Sequence, residues 1–512
     1  MVMGAVMVSG RTGVVALTML LVCVTGTETA GAATAPDVDG YLHDRLAATD
    51  TPGAAWAIVT GDSIERVGTW GRDGDGAPVT ERTPFLWGSV SKPVTATAML
   101  TMVEAGTVDL DEPVRTYLPA FALADHGRAS RITVRHLLEH TSGIPGDAAG
   151  VTDRFEPRAD PYREAVAALA EITPLSAPGD THRYASANYL VLGAIVEAVS
   201  GRPFADYLRE HVLDPLDMDG AITSPEQAGG LPDGHGYVFG QPAGLAPRYD
   251  RTGPSYGYLG GTVTDLAQFA MAQLDEGRHQ STQVLAPASV KSMQRGDARV
   301  TDTQRYGLGW REDSRVAGDG TRAVWHAGAS PGYQTMLVLL PELDRGIVVL
   351  QNVYGFFQDE QLAGTGLGAA TLLAGGRPGG TSGGPTYPVF VAALFAVLVT
   401  IAGAAGWAVY RMPRPGAVRR RRTVLGMAGW ALTGLAAAHG AAVALPAAFG
   451  VDLSLMRLWA PDIGWLLTAI AVAGLALSAV RLTTGCLRLR QAGGPPADGT
   501  GDGLTSPGRS DP

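Results

Sequence analysis

Lysine is nearly missing from this 512-residue chain: Lys92 and Lys291 are the only two among 39 basic residues, the rest being arginine. Against such a bias, a retained lysine is a mild pointer to a specific role. Cysteine is as scarce, with Cys23 and Cys486 both outside the long middle of the chain, so no disulfide framework can staple a fold there. Excess positive charge is missing from the front of the chain. The net charge is -10, and residues 389–512 hold 11 Arg against 5 Asp, a balance of +6 that leaves -16 for everything before them. An acidic front half without a basic patch excludes nucleic acid as a natural partner. Charge of either sign is absent from three long stretches, 389–410, 423–450 and 463–480.

The length predicts several units rather than one compact domain. Residues 1–35 have the three parts of an export signal. Arg11 precedes an apolar run over 14–24, too short to cross a bilayer, and small residues follow through Ala30-Gly31-Ala32 and Ala33-Thr34-Ala35. A folded domain is expected over 36–374. Six Gly and three Pro in 375–388 predict a flexible linker with a reach of roughly 20 Å.

Each uncharged stretch is long enough to cross a hydrocarbon core, so a membrane region over 389–482 is expected, with spans about 389–410, 423–449 and 463–480. A Gly-, Pro- and Asp-rich cytoplasmic tail is expected over 483–512. Arg411, Arg414 and Arg419 to Arg422 lie between the first two spans, and Arg481, Arg488 and Arg490 follow the third. The positive-inside rule makes both basic segments cytoplasmic. The chain therefore reads as a multi-pass protein of the cell membrane, in contact with membrane lipid, with its large domain extracytoplasmic. His439, inside the second span, has no acidic partner in the neighbouring spans and is read as a packing or hydrogen-bonding residue.

Within the large domain, 54–60 alternates like a strand, 90–105 and 189–199 carry helical patterns, and 335–340 with 346–351 read as paired late strands. The informative segment is Trp87-Gly88-Ser89-Val90-Ser91-Lys92-Pro93. Ser89 and Lys92 are three apart, so at a helix start they share a face and the amine can approach the hydroxyl. A serine needs a proton acceptor to become a nucleophile, and a lysine shielded from water loses enough proton affinity to serve. By itself the spacing is better explained by a capping serine beside an exposed lysine.

Further along lie Tyr184-Ala185-Ser186 ahead of a helix and Trp325-His326-Ala327-Gly328-Ala329 ahead of strands. His136-Leu137-Leu138-Glu139-His140-Thr141-Ser142-Gly143, Gly260-Gly261 with Asp265-Leu266-Ala267-Gln268-Phe269, and Tyr306-Gly307-Leu308-Gly309-Trp310 complete the set. In this order the motifs resemble the serine β-lactamase and penicillin-binding superfamily, in its class C-like branch of DD-peptidases and esterases, over roughly 51–352. The resemblance implies an α/β fold in which helices flank an antiparallel sheet, with an all-helical subdomain holding Tyr184; the three transmembrane helices follow it.

The resemblance also implies roles. Ser89 is the acylated nucleophile, Lys92 and Tyr184 exchange its proton, and His326 opens the third motif. The backbone amides of Ser89 and Ala329 form the oxyanion hole, and Ser186 and Gly328 contact substrate. An ammonium beside Tyr184 is expected to raise the acidity of its phenol. No cofactor and no metal is implied. The substrate is an extracellular ester or peptide, hydrolysed in the manner of a D-alanyl carboxypeptidase or an esterase; the alternative is a cell-wall or β-lactam sensor that is acylated without efficient turnover.

Two departures stand out. Ser186 replaces the amide of a Tyr-x-Asn pattern, and His326 replaces a lysine, removing a fixed cation for a β-lactam carboxylate.

Two rival motifs use other residues. His136 to His140 formally matches H-x-x-E-H, a zinc-binding pattern, although the resemblance treats both histidines as structural. Gly328-Ala329-Ser330-Pro331-Gly332 matches a nucleophile elbow, but the only histidine after Ser330 is His439, within a span.

Overall fold

Side chains of an extended strand point alternately to opposite faces, and this alternation sets the layers of the large domain. In β1 (Gly53–Val59), Ala55, Ala57 and Val59 join one apolar cluster while Ala54, Trp56 and Ile58 join a second. The computed structural model describes residues 37–146, 150–314, 320–380, 384, 386–410 and 419–491. The expected signal peptide with Cys23, the arginines at 411 and 414, and the tail past 491 lie outside the described residues. The chain divides into two compact units after residue 383.

The first unit is built on an eight-stranded antiparallel sheet. Its other strands are β2 (Ile64–Gly71), β3 (Ala298–Arg299), β4 (Gln304–Tyr306), β5 (Arg311–Asp313), β6 (Ala323–Ser330), β7 (Tyr333–Leu340) and β8 (Arg345–Gln351). The order across the sheet is β2-β1-β8-β7-β6-β5-β4-β3.

One face is covered by α1 (Val38–Ala48) and α5 (Asp359–Leu373), where Leu42, Leu46, Ala369 and Ala370 meet Met336, Val338 and Val349. The opposite face presents Leu337, Leu339, Val348 and Leu350 to a helical layer containing α2 (Ser91–Glu104), α3 (Ser186–Ser200) and α4 (Val263–Leu274). Each large aliphatic side chain taken out of water contributes about 1.5–3 kcal/mol. Both faces of the inner strands are therefore held, and β6 is rigidly placed. The sheet flanked by helices, with short helices between α2 and α4 forming the helical part, is the architecture that the sequence motifs imply.

Elements expected from periodicity fall within a few residues of their positions. The helix read from 189 begins earlier, at Ser186, and ends at Gly201, whose φ of +67° terminates it as glycine readily does.

Among the described residues, the second unit contains three helices long and apolar enough to cross a membrane: Thr386–Tyr410, Arg420–Ala448 and Pro461–Arg490. Two boundaries differ from expectation. The first helix starts inside the expected linker, because Pro388 falls in its first turn, where a missing N–H costs nothing. The third runs to Gln491 rather than ending near 482, so the stretch 483–491 of the expected tail is helical. No Gly-Pro breaker occurs there before Gly493-Gly494-Pro495.

Candidate active site

α2 is buried on nearly every side from Ser91 to Leu100, and Lys92 is the one cation it carries. A short 3₁₀ turn, Gly88–Val90, precedes it and raises Ser89 at the helix entrance, where it keeps some exposure. Ser91 Oγ fixes this entrance by donating to the Gly88 carbonyl at 2.7 Å and accepting from Leu259 N at 3.1 Å.

Lys92 is fully buried. Its Nζ lies 2.9 Å from Ser89 Oγ, 3.3 Å from Ser186 Oγ and 2.5 Å from the Tyr256 carbonyl. Burial drives its pKa well below the ordinary lysine range; Asp153 opposes this and Arg311 reinforces it. A neutral amine has two hydrogens and one lone pair. The carbonyl can only accept, so it takes one hydrogen; with the second directed at Ser186, the lone pair is free to meet Ser89. Such an amine can receive the hydroxyl proton directly.

Tyr184 and Ser186 sit on the segment entering α3. His140 clamps that segment from a left-handed backbone position, φ +56°. Its carbonyl accepts from Arg183 N at 2.7 Å, and its Nδ1 faces Ala185 N at 3.2 Å and Asn188 Nδ2 at 3.0 Å. Asn188 Oδ1 in turn accepts from Ser142 Oγ at 2.6 Å. The His140 ring packs on Tyr184 with centroids 4.3 Å apart.

The Tyr184 phenol is pushed up to about 12 by burial, against the pull of a hydrogen bond shared with Ser89 and of the Arg311 charge. This reverses the expected sharpening of its acidity. The amine beside it is itself held below its ordinary pKa, so the phenol keeps its proton at neutral pH.

His326, on β6, is buried and neutral, because burial foremost and then the Arg311 charge hold its pKa well below the usual range. Nδ1 donates to the Ala327 carbonyl at 2.7 Å, so Nε2 accepts from the Tyr306 hydroxyl at 3.0 Å. Both nitrogens are occupied away from Ser89 and Lys92. The third motif reaches the nucleophile through its backbone instead. A methyl group on Gly328 would lie 2.0 Å from the Trp87 carbonyl and 3.1 Å from Ser89 N, and one on Gly88 would lie 2.3 Å from Ala329 N. Only glycine at both positions lets β6 approach the Ser89 turn so closely. The amides of Ser89 and Ala329 are thereby brought to one place, as an oxyanion hole requires.

Arg311 was not singled out from the sequence. It begins β5, beside β6, and its guanidinium lies 5.3 Å from the Tyr184 ring centre, 5.6 Å from that of Tyr306 and 5.4 Å from that of Trp325. Its polar contact is Gln304 Oε1 at 3.0 Å, and its charge is also felt at the Asp359 carboxylate. A fixed cation therefore flanks the site, although the third motif has none. The available signal was its place directly after Tyr306-Gly307-Leu308-Gly309-Trp310.

The rival motifs come apart. The helix carrying His136 is Val134–Leu138 and ends before His140, so the two imidazoles do not share a helical face. His136 Nδ1 faces Thr133, at 3.1 Å from its N and from its Oγ1, while His140 serves the Tyr184 segment. Ser330 is buried at the end of β6 and donates to the Gly257 carbonyl at 3.0 Å, which gives it a turn-holding role.

Comparison with known proteins places the chain in a family. The Beta-lactamase family profile matches residues 38–370. Penicillin-binding protein 4 of Amycolatopsis lactamdurans is 35% identical over 302 residues, covering 57% of this chain and 78% of that protein. Among solved structures, SurE superimposes with a TM-score of 0.56 at 26% identity, over 67% of this chain and 77% of its own. EstCE1, described as a hydrolase with promiscuous acyltransferase activity, superimposes with a TM-score of 0.56 at 21% identity, over 66% and 97%, a likeness of fold alone.

Proposed function

We propose a reaction from one premise: the chain belongs to the Beta-lactamase family and is a serine hydrolase. Ser89 attacks the carbonyl of an ester or peptide, and Lys92 takes the proton of its hydroxyl as general base. The observation that carries this reading is the 2.9 Å approach of a wholly buried Lys92 amine to Ser89 Oγ. The Ser89 and Ala329 amides hold the developing oxyanion. Tyr184, still protonated, gives its proton to the leaving group and recovers it from the Lys92 ammonium, which returns Lys92 to the free amine. Ser186 and Gly328 line the substrate's path. His326 acts as a positioning residue, orienting β6 through Tyr306. Water then releases the acyl group from Ser89.

Arg311 favours a substrate with a carboxylate near the scissile bond, such as a peptide C-terminus, over a neutral ester. A D-alanyl peptide of the cell wall meets that requirement, and the penicillin-binding relative is in keeping with it. The catalytic unit lies outside the cell and the three apolar helices tether it, a topology supported by the arginine clusters flanking them.

The test is mass-spectrometric mapping of the residue labelled when the full chain meets a fluorophosphonate and, separately, a penicillin. Label on Ser89 is expected with both reagents, and none in Ser89→Ala. Label with fluorophosphonate alone would leave an esterase, and an unlabelled Ser89 would sink the assignment.

A second expectation concerns Arg311. Arg311→Gln should raise KM for a carboxylate-bearing peptide by about 10- to 100-fold, the value of a charge-assisted contact. A small neutral ester should be turned over nearly as before. Equal losses on both substrates would show that Arg311 only supports the fold.

A further inference from the structure

The Tyr256 carbonyl that receives a hydrogen from Lys92 belongs to a loop built around two carboxylates. The 3₁₀ turn Gly253–Ser255 leads into it. Asp250 is buried and takes four donors: Thr252 N and Thr252 Oγ1 at 2.8 Å each, and the Tyr256 hydroxyl and Arg154 N at 2.7 Å each. These fill the accepting positions of that carboxylate, so its part is to hold the loop in shape.

Asp153 is placed differently. Its φ of +58° is a left-handed backbone position that Asp takes more readily than most side chains. Its N–H donates to the Tyr256 hydroxyl at 2.8 Å, and its Oδ1 accepts from the Tyr258 hydroxyl at 2.6 Å. Two tyrosines therefore join Asp153 to the segment that touches Lys92. The same segment is tied to the nucleophile turn, since Leu259 N donates to Ser91 Oγ at 3.1 Å and the Leu259 carbonyl accepts from Trp87 N at 2.7 Å. The Asp153 carboxylate is thus carried at a fixed place relative to the base.

Two charges among the described residues bear on Lys92, and they oppose each other: the Asp153 carboxylate favours an ammonium there and the Arg311 guanidinium disfavours it. The other titratable neighbours are uncharged at neutral pH. Burial holds His140 and His326 neutral, and Tyr184 and Tyr189, whose ring centres lie 4.9 and 5.8 Å from Nζ, keep their protons. Around Asp153 itself, Tyr256 and Tyr258 are buried phenols held well above their ordinary pKa, while Arg154 and Arg248 bear on Asp250 and Tyr258. Burial foremost pushes the Asp153 carboxyl up to about 6, with the Tyr258 hydrogen bond resisting and the Asp250 charge adding to it, so above neutral pH it is ionised. When Lys92 takes the hydroxyl proton as the bond from Ser89 Oγ to the substrate carbon forms, a positive charge appears in a wholly buried place. Charge that arises only at that moment is best stabilised by a group already fixed in position.

We propose that Asp153 is a positioning residue for acylation: its carboxylate is the counter-charge of the ammonium that Lys92 becomes on taking the Ser89 proton, and Tyr256 and Tyr258 hold it there. The proposal rests on Lys92 being the base of Ser89, and names what sets the strength of that base.

The chain supplies its own probe. Lys92 and Lys291 are its only lysines, and Lys291 is exposed and paired with Glu276 at 2.8 Å. Full-length protein in detergent, isotopically labelled at lysine Cε, therefore gives two lysine resonances whose titrations NMR follows separately. In Asp153→Asn the Lys92 midpoint should fall by about half to one pH unit while that of Lys291 stays in place. The acid limb of kcat/KM on a neutral ester should move down with it, and kcat at the high-pH plateau should drop about three- to tenfold, with KM little changed, because the base is weaker. Asp153→Glu, which restores the charge, should return the midpoint toward the wild-type value. An Asp153→Asn midpoint that stays or rises overturns the proposal, and so does an equal fall in Asp153→Glu. Fluorophosphonate labelling of the same samples separates the two readings. With Ser89 labelled and the midpoint unmoved, only the role of Asp153 fails; an unlabelled wild-type Ser89 removes the base reading and this one with it. Should Asp153→Asn fail to fold by circular dichroism and gel filtration, Asp153→Ser, which drops the charge and keeps a hydroxyl for Tyr258, carries the test by the same criterion.

Discussion

Replacing Ser89 with alanine is expected to lower kcat/KM by roughly 10⁴- to 10⁶-fold, the loss seen when a covalent nucleophile is removed from an otherwise intact site. Ser330→Ala is the matched control. Its hydroxyl is buried and donates to the Gly257 carbonyl at 3.0 Å, so the variant should lose about 1 kcal/mol of stability and keep its turnover. Steady-state kinetics on one ester substrate, with thermal unfolding alongside, reads both quantities. The reverse pattern, an active Ser89→Ala and a dead Ser330→Ala, would move the chemistry to the turn after β6 and reject the site described above.

The second large effect is at Lys92. Lys92→Arg preserves a positive charge and much of the length, but a guanidinium does not give up its proton in a protein. If the amine acts as a base, kcat/KM should fall by about 10²- to 10⁴-fold despite the retained charge; if it acts only as a cation, the variant should remain active.

The pH dependence has a definite sign. Burial holds the Lys92 pKa well below the ordinary lysine value, so wild-type activity should decline as pH falls through that depressed value and the amine becomes protonated. For stability, the unfolded chain binds a proton at Lys92 up to about pH 10.4, while the native state gives it up earlier. Between the two values the unfolded state holds more protons, and this group's contribution to stability rises with pH. Lys92→Met removes that dependence, and is expected to be inactive yet no less stable than wild type at neutral pH, a separation of function from stability. A sharply destabilised Lys92→Met would mean that the ammonium, not the amine, is the native form.

The layers of the large domain were legible because strand alternation is a local property. Ala54, Trp56 and Ile58 against Ala55, Ala57 and Val59 can be sorted by parity alone, and both sets turn out buried, in separate clusters. The three apolar helices were legible for a similar reason, since length and lack of charge are counted along the chain. Their ends were less so: Pro388 proved compatible with a helix start, and the residues after Arg481 offered no breaker.

At the site, the pairing of Ser89 with Lys92 followed from helical spacing. Arg311 did not, because a cation's relation to a site 222 residues away in sequence depends on which strands are neighbours. The protonation states were beyond reach for the same reason. A lone lysine in a sequence is an ammonium by default, and a tyrosine near it an improved acid. Only the packing of α2 on all sides shows that Lys92 is shielded, and only the closure of Tyr184 by His140, Tyr306 and Arg311 reverses the expectation for its phenol, since desolvation is a property of the space around a group.

Sequence by itself determined the order of the motifs, the serine and lysine on one helical face, and the three stretches able to cross a membrane. These rest on spacing and composition, which the chain carries before it folds. Tertiary structure alone decided that a wholly buried Lys92 amine meets Ser89, that His326 spends both nitrogens on Ala327 and Tyr306, and that Gly88 and Gly328 let two backbone amides converge. Each of these depends on atoms from segments far apart in the chain, brought within a few ångströms by a core whose packing no local pattern specifies.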